Sequence, residues 1–535
     1  MKPKHIHSRR SPASAKSTLF GITLAGAVAF VSIPSTFAAS QTWDGGAATN
    51  ILNTADNWTN NATPTSATDD ATWDGSVAGN LSLIWNASFG PGSGNSGGVD
   101  IVMAATQTGS LQLDATSGSL GLGDITIAAD AGAFTLGDGA GTASVVFRDP
   151  TTTFTNSSSN TATFKSDIVT ANGGGGGNRN VTFDGTGNWS VEGTFFASGF
   201  SAVSSAFFTK SGTGTLTLAG ANSNGGTTVI SGGTIAITNG SALGTGNVTL
   251  SGGRLALSNN ITVASSVTGP ANYNLSGSNN AASDLTSAAR ILNSSGNNTI
   301  SGNINFANVG GTFVNIHSAA GTLTLDGNIA ATLITGTGRN FNFTGAGDIV
   351  SNGDISDGTV AVGVHKGGAG TLTLTGTNNT YTGDTLVSVG TLLVNGSLGN
   401  SAVTVAADAT IGGTGSLAGT LGFDGDALLE VVNFSDPLEV TGTITFGSGF
   451  GIDNLTGIDW GSLALNTEYT VISTSQIFSA LDIANFGSVN AASVGGGRFA
   501  YFESGSLAVV VIPEPGAALL GAIGSFLLLG RRRRC

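Results

Sequence analysis

The side chains able to do chemistry in this chain are few and widely spaced. Of four histidines in 535 residues, His317 and His365 fall in the body, each next to a strand-like segment near a Gly-Thr-Leu-Thr-Leu copy. Catalysis or metal binding requires a partner, and no His-x-x-x-His or His-Glu pair occurs, so both read as isolated surface or loop residues. No Gly-x-Ser-x-Gly stands in a strand-to-helix context, which leaves a serine nucleophile unsupported. Carboxylates are the remaining candidates. Asp69-Asp70 sits beside Trp73, and Asp424 and Asp426, two apart, should share one face of a strand. A glycosidase needs two carboxylates with one held protonated, yet neither pair is joined by a basic and histidine constellation. Asp348, Asp354 and Asp357, around Gly-rich turns, have the oxygen chemistry for calcium. They lack the Gly-Gly-x-Gly-x-Asp repeat and read as solvated turn carboxylates. Gly92-x-Gly94-x-x-Gly97 has the letters of a dinucleotide fingerprint, but 84 glycines produce such matches by chance and no helix pattern follows. It reads as a loop, as does the glycine run 173–177.

Trp43, Trp58, Trp73 and Trp85 are four of the six tryptophans. They suit either a sugar-stacking platform, with an exposed coplanar pair, or an aromatic cap over the open end of a repeat array. The capping requirement favours the cap.

The elements around these residues are strands. Charged residues make up only 9% of the chain, against about 25% in an average soluble protein. Ser, Thr and Asn fill the polar positions, 40% of residues are hydrophobic, and Pro occurs only 10 times. This composition describes short strands joined by tight turns. Between residues 39 and 512 nine basic residues face 31 acidic ones, a balance of −22. Such a body repels nucleic acid, whose binding requires Lys and Arg to displace phosphate counterions. The single cysteine, Cys535, ends the chain, so the body has neither disulfides nor thiolate chemistry.

Gly214-Thr-Leu-Thr-Leu218, Gly321-Thr-Leu-Thr-Leu325 and Gly370-Thr-Leu-Thr-Leu374 are identical; Gly109–Leu113 and Gly246–Leu250 vary the pattern. Period-two placement buries the leucines and turns the threonines outward. From Thr215, apolar-alternating strands recur at Thr228, Thr234, Asn247 and Arg254; from Thr371, they recur at Thr385, Thr391, Ala402 and Ala409. The offsets agree within one residue and define two copies of a module, near 210–257 and 366–421. Strands about 20 residues apart suit a parallel β-helix in which like side chains stack. At ~4.8 Å per coil, about 15 coils would form a rod on the order of 70 Å long.

The two copies, Lys210-Ser-Gly-Thr-Gly-Thr-Leu-Thr-Leu218 and Lys366-Gly-Gly-Ala-Gly-Thr-Leu-Thr-Leu374, resemble the autotransporter-associated β-strand repeat of bacterial passenger domains. Tyr381-Thr-Gly-Asp-Thr385 continues the family pattern, whereas Asn224-Gly-Gly-Thr-Thr228 lacks the Tyr. Trp43-Asp-Gly-Gly46, Asn57-Trp58 and Trp73-Asp-Gly75 resemble the segment that often precedes such repeats. No series of ~10-residue amphipathic strands of the translocator type follows the repeats.

Both ends read as addresses. A basic stretch through Lys16, an apolar run 19–33 and small residues at Ala38 and Ala39 have the layout of a secretory signal peptide cleaved near those alanines. The run is short of the ~20 residues a spanning helix needs. At the other end Pro513-Glu514-Pro515, the apolar run 516–530 and Arg531, Arg532, Arg533 and Arg534 follow one another. The arginines should hold the tail on the cytoplasmic side. This order resembles the PEP-CTERM sorting signal of Gram-negative bacteria, which implies recognition and release by an exosortase-type enzyme after transient inner-membrane insertion.

The expected architecture is all-β: a right-handed parallel β-helix (β-solenoid) with β-rich N- and C-terminal caps and a short C-terminal hydrophobic helix. The expected layout is a signal peptide (1–38), a Trp-containing β cap (39–108), a repeat solenoid (109–422), a C-terminal β region of further coils or a small sandwich (423–512) and the sorting signal (513–535). The expected function is that of an exported, non-catalytic surface or matrix protein with no cofactor. Its expected partners are signal peptidase, an exosortase-type enzyme and exopolysaccharide or other surface components. The alternatives are a carbohydrate-active β-helix enzyme and a carbohydrate-binding protein.

Overall fold

The computed structural model describes residues 40–514, apart from 65–68, 88, 90–97, 138–143, 148, 170–178, 196–205, 264–272, 276–288, 308–312, 334–338, 359, 480–481 and 504–506. The cleavage alanines Ala38 and Ala39, the Gly92–Gly97 and 173–177 runs, Pro515, the apolar run 516–530 and Arg531–Arg534 lie outside the described residues.

Alternating Leu/Ile/Val with Thr or Ser produces short strands with one buried row. In Thr215–Leu218, Leu216 and Leu218 are at most 1% exposed while the threonines lie half-buried on the other side. These rows are stacked by parallel pairing. Leu216 is in register with Ile235, Ile235 with Leu255, Leu255 with Ile291, Ile291 with Ile316 and Ile316 with Phe343. Each coil thus lays an apolar side chain on the one before it, forming one continuous core.

The coils have three faces. One face runs from Gln41–Thr42 through Asp70–Trp73 and Val99–Met103 to Ile355–Ser356, along a path of thirteen paired strands. It continues past the Asn379–Leu398 bridge into Ser397–Leu398, Ser416–Leu417, Leu438–Val440 and Ile472–Ser473. The second face runs from Leu81–Trp85 through Thr215–Leu218 to Ile444–Phe446. The third includes Thr262–Val263, Asn298–Ile300, Thr322–Leu325 and Asp348–Ser351. Val362–Leu374 and Thr385–Val394 each turn a corner unbroken and contribute to the second and third faces together. This shared use links two faces into one ladder without closing a barrel.

Coil length differs along the chain. Leu216 to Ile235 is 19 residues and Leu372 to Leu392 is 20, within the two repeat copies. Ala71 to Ile101 is 30 and Trp189 to Leu216 is 27. The expected 20-residue spacing holds inside the repeat copies; elsewhere extra residues are accommodated between strands.

Two glycines show why the Gly-Thr-Leu-Thr-Leu motif begins as it does. A Cβ at Gly370 would lie 2.2 Å from the Gly347 carbonyl oxygen of the preceding coil. Gly390 combines φ +73° with a Cβ position 2.3 Å from the Gly368 oxygen. Only glycine fits both positions.

At the N-terminal end Trp43, Trp58 and Trp73 are buried, with ring centroids 5.2 and 5.6 Å apart in edge-on pairs. Trp58 Nε1 donates to the Leu52 oxygen at 2.8 Å. Asn57 holds the surrounding loop, donating to the Thr49 and Ile51 oxygens and accepting from the Ala47 N–H. Next comes an aromatic core of Phe154, Phe164, Phe183, Trp189 and Phe208. At the other end the Gln476 amide pairs with both the N–H (2.8 Å) and C=O (2.9 Å) of Ile444, acting as one residue of a further strand. A four-stranded antiparallel sheet follows: Glu468–Thr470, Ala508–Pro513, Arg498–Phe502 and Ala492–Gly495, in that spatial order. The region after residue 423 is therefore further coils and then a single sheet, not a sandwich.

Phe183→Ala should cost about 3–5 kcal/mol. Because each coil contacts only its neighbours, hydrogen exchange should show the loss between residues 151 and 218 while strands 403–446 keep their protection. Uniform loss along the chain would contradict coil-by-coil stability.

Candidate functional site

The two repeat copies contain a buried basic group. Lys210 and Lys366 end the strands Ala206–Lys210 and 362–366 on their inward side and are 0% and 3% exposed. Each ammonium folds back into the turn that follows. Lys210 Nζ donates to the carbonyl oxygens of Ser211 and, at 3.1 Å, Gly212. Lys366 Nζ donates to those of Gly368 and, at 2.9 Å in the next coil, Val389. Burial pushes both lysines down to about 8, against the opposing attraction of Asp184 and Asp348 respectively. The lysines thus satisfy turn carbonyls that the ladder leaves unpaired. In other coils asparagine does the same work. Asn293 Nδ2 donates to the Gly296 and Ala320 oxygens, and Asn156 Nδ2 to those of Asn160 and Asn188.

Strand register adds a feature that the repeats alone do not reveal. Lys366 pairs with Phe343, so it occupies the column that runs through Leu216. Lys210 lies in a different column, paired with Phe183 and Ile230 on the first face. The two copies are therefore offset by one face around the solenoid.

The second copy's Tyr381 is fully buried, and its hydroxyl bonds Thr385 Oγ1 at 2.7 Å. Thr385 bonds Ser401 Oγ, which donates to the Gly383 oxygen. Burial pushes the Tyr381 phenol up to about 12, with the Thr385 and Ser401 bonds opposing. In the first copy Asn224 and Thr228 take the places of Tyr381 and Thr385, and Asn224 Nδ2 and Thr228 Oγ1 are buried without a partner. This is the structural meaning of the missing tyrosine.

The carboxylates expected in turns are tied to neighbouring segments. Asp348 Oδ1 accepts from the Thr371 N–H (2.8 Å) and Asp354 Oδ1 from the Asn378 N–H (3.0 Å). Asp357 accepts from the N–H groups of Val362 and Thr382 and from the Thr382 hydroxyl. Asn303 and Asn328 extend the same pattern, Asn303 accepting from the Asn328 N–H and Asn328 from the Asp354 N–H. These acids brace the chain rather than gather around an ion. Among the described residues no group of three or more His, Cys, Asp or Glu side chains is placed to hold a metal ion.

Two expectations need correction. His317 and His365 are neither loop nor isolated surface residues; they lie in the strands Phe313–Ser318 and Val362–Leu374. His317 is 8% exposed, with Nδ1 2.9 Å from Thr344 Oγ1. His365 lies between Asn342 Oδ1 (3.1 Å) and Ser388 Oγ (2.8 Å), and Asn342 donates to Asn315, giving a polar row across four coils. Burial and the neighbouring Lys366 charge hold His365 below the usual histidine range. Strands with this many polar side chains look like loops in sequence because the apolar alternation is interrupted. Asp424 and Asp426 occupy a turn after Leu421–Phe423 rather than one face of a strand, and both are exposed.

Asp70 and Trp73 are separated by the strand they share: Trp73 points into the core and Asp70 outward. Asp70 is in register with Asp100. Burial pushes the Asp100 carboxyl up to about 6, aided by the charges of Asp124, Asp70 and Asp149 and opposed by the bond from the Asp124 N–H. The tryptophans do not form an exposed stacking platform, since all four are at most 2% exposed. Pro513 closes the last described strand, and Glu514 beside it is exposed, with its N–H on the Gly497 oxygen.

Sequence reading missed Lys210 and Lys366, although a visible signal marks them: each stands four residues before the glycine of its Gly-Thr-Leu-Thr-Leu motif. Asp100 and Gln476 left no such trace.

Comparison with protein families matches residues 208–237 and 364–394 to the passenger-associated transport repeat. The matched segments span the two lysine-clamped corners. No curated protein and no solved structure matches the chain.

Lys366→Met strips the Gly368 and Val389 carbonyls of their donor and should lower stability by about 1–3 kcal/mol in urea unfolding. Asp100 binds its proton more tightly folded than unfolded, so its stabilising effect is complete below pH 3.8 and is lost as pH rises through about 6. Asp100→Asn should remove that slope from the pH dependence of Tm and raise Tm at pH 7; an unchanged slope would place the effect elsewhere.

Proposed function

We propose that this chain is an exported, non-catalytic surface or matrix protein, a passenger-type β-solenoid whose role is structural or adhesive. The observation that carries this reading is the use made of its titratable groups. Lys210, Lys366, Asp348, Asp354 and Asp357 are spent on holding turns and coils together. Passenger-associated repeats support secretion or surface exposure in a Gram-negative bacterium. The mechanism is presentation of a long Thr/Ser/Asn surface making many weak contacts, so that avidity replaces one strong site.

In this reading signal peptidase cleaves near Ala38 or Ala39. The apolar run 516–530 then inserts in the inner membrane, with Arg531–Arg534 holding its cytoplasmic side. An exosortase-type enzyme acts at Pro513-Glu514-Pro515, and the released body joins exopolysaccharide or other surface components. Support comes from the order of these segments in the sequence and from the exposure of Pro513 and Glu514 at the end of the last described strand. Among the described residues no helix is long and apolar enough to cross a membrane, and the run 516–530 lies outside them.

The test is the intact mass and cell fractionation of the natively expressed protein, with and without Pro513, Glu514 and Pro515 replaced by alanine. Loss of the arginine tail and arrival at the surface only with the motif intact is the expected result. A full-length product in the inner membrane in both versions would overturn the sorting route.

A further inference from the structure

On the outer side of the sheet formed by Ser397–Leu398, Ser416–Leu417, Leu438–Val440 and Ile472–Ser473 lies a groove of about 530 Å³. Its floor is a row set by strand register, in which Ser416 pairs with Glu439 and Glu439 with Ser473. In a parallel ladder these side chains stand on one face about 4.8 Å apart. One wall is the 434–437 segment, which supplies Phe434 and Asp436, with Phe434 propped against Tyr469 at a centroid distance of 5.0 Å. Thr414 adds a further hydroxyl.

The carboxylates of this groove are placed differently from the three that brace turns. Asp348, Asp354 and Asp357 are committed to neighbouring backbone, whereas Asp436 and Glu439 are exposed. Neither these two carboxylates nor the hydroxyls of Ser416 and Ser473 have a hydrogen bond or ion pair among the described residues. The strand backbone beneath is paired from coil to coil, with the Ser416 N–H on the Gly396 oxygen and the Glu439 N–H on the Gly415 oxygen, both at 2.9 Å.

We propose that this groove binds a neutral saccharide chain. Carboxylate oxygens accept two hydroxyl donors each, serine and threonine hydroxyls both donate and accept, and an aromatic wall offers a face to sugar C–H groups. The lining holds no Lys, Arg or His, so the site does not favour anionic polymers. An extended peptide adds to a sheet edge through free backbone N–H and C=O groups, whereas this groove lies over the side-chain face of the strands. The site is discrete and does not rest on the surface-scaffold reading, which stands even if the groove binds nothing.

Native affinity electrophoresis of the full chain through gels containing dextran, laminarin, xyloglucan or galactomannan tests this directly. At least one polymer should retard the protein. Glu439→Gln, Asp436→Asn and Phe434→Ala should each weaken retardation about tenfold, the loss of one good hydrogen bond or ring contact, with Tm unchanged in the two exposed carboxylate variants and somewhat lowered in Phe434→Ala, whose ring packs against Tyr469. Asp424→Asn, in an exposed turn elsewhere, should leave retardation as it is. Migration unaffected by all four polymers would overturn the proposal, as would retardation that all three groove variants retain. Preferential capture on immobilised hexalysine, lost with Glu439→Gln, would also overturn it by identifying a site for cationic peptides.

Discussion

The structure depends on the parallel backbone ladder between successive coils. The strands of the coils spend their N–H and C=O groups on the coils on either side, and most corners break that pairing or shift its register. A buried corner with unpaired carbonyls would be costly. The chain meets this need in three chemically different ways: lysine ammonium groups, asparagine amides and, at its C-terminal end, a glutamine that imitates a strand residue. Apolar columns then fill the interior, and their stacking sets which residues can occupy each position.

This constraint separates what could be read in the sequence from what could not. The repeated Gly-Thr-Leu-Thr-Leu strands and their matching offsets identified stacked coils, because identical apolar columns need identical spacing. The same offsets did not reveal that the second copy sits one face further round. Between the copies the register partners Leu255, Ile291, Ile316, Phe343 and Lys366 are 23 to 36 residues apart instead of 19 or 20, so the repeat spacing carries no information across that stretch. His317 and His365 looked like surface or loop residues because polar side chains within a strand interrupt the period-two signal. Asp424 and Asp426 looked like strand partners because spacing alone does not separate a strand from a turn with glycine between two acids.

The site level follows the same logic. Aspartates around Gly-rich turns resemble cation ligands by composition, yet Asp348 and Asp354 each serve a backbone N–H of a later coil. Tryptophans resemble sugar platforms by composition, yet burial of their rings closes the first coil. The groove under Phe434 was invisible because its floor joins Ser416, Glu439 and Ser473, residues brought together only by register. Pairing register, more than motif, decides which polar groups of a solenoid are free to meet a ligand.

Contacts limited to neighbouring coils also govern how such a chain yields to a pull. Tension applied at one end loads the outermost ladder first, and that ladder can part while those behind it remain closed. Each 20-residue coil that peels away adds roughly 70 Å of extended chain. A protein anchored between a cell and its surroundings would lengthen in steps instead of breaking at once, and each detached coil could wind back onto the intact stack as a template when the load falls.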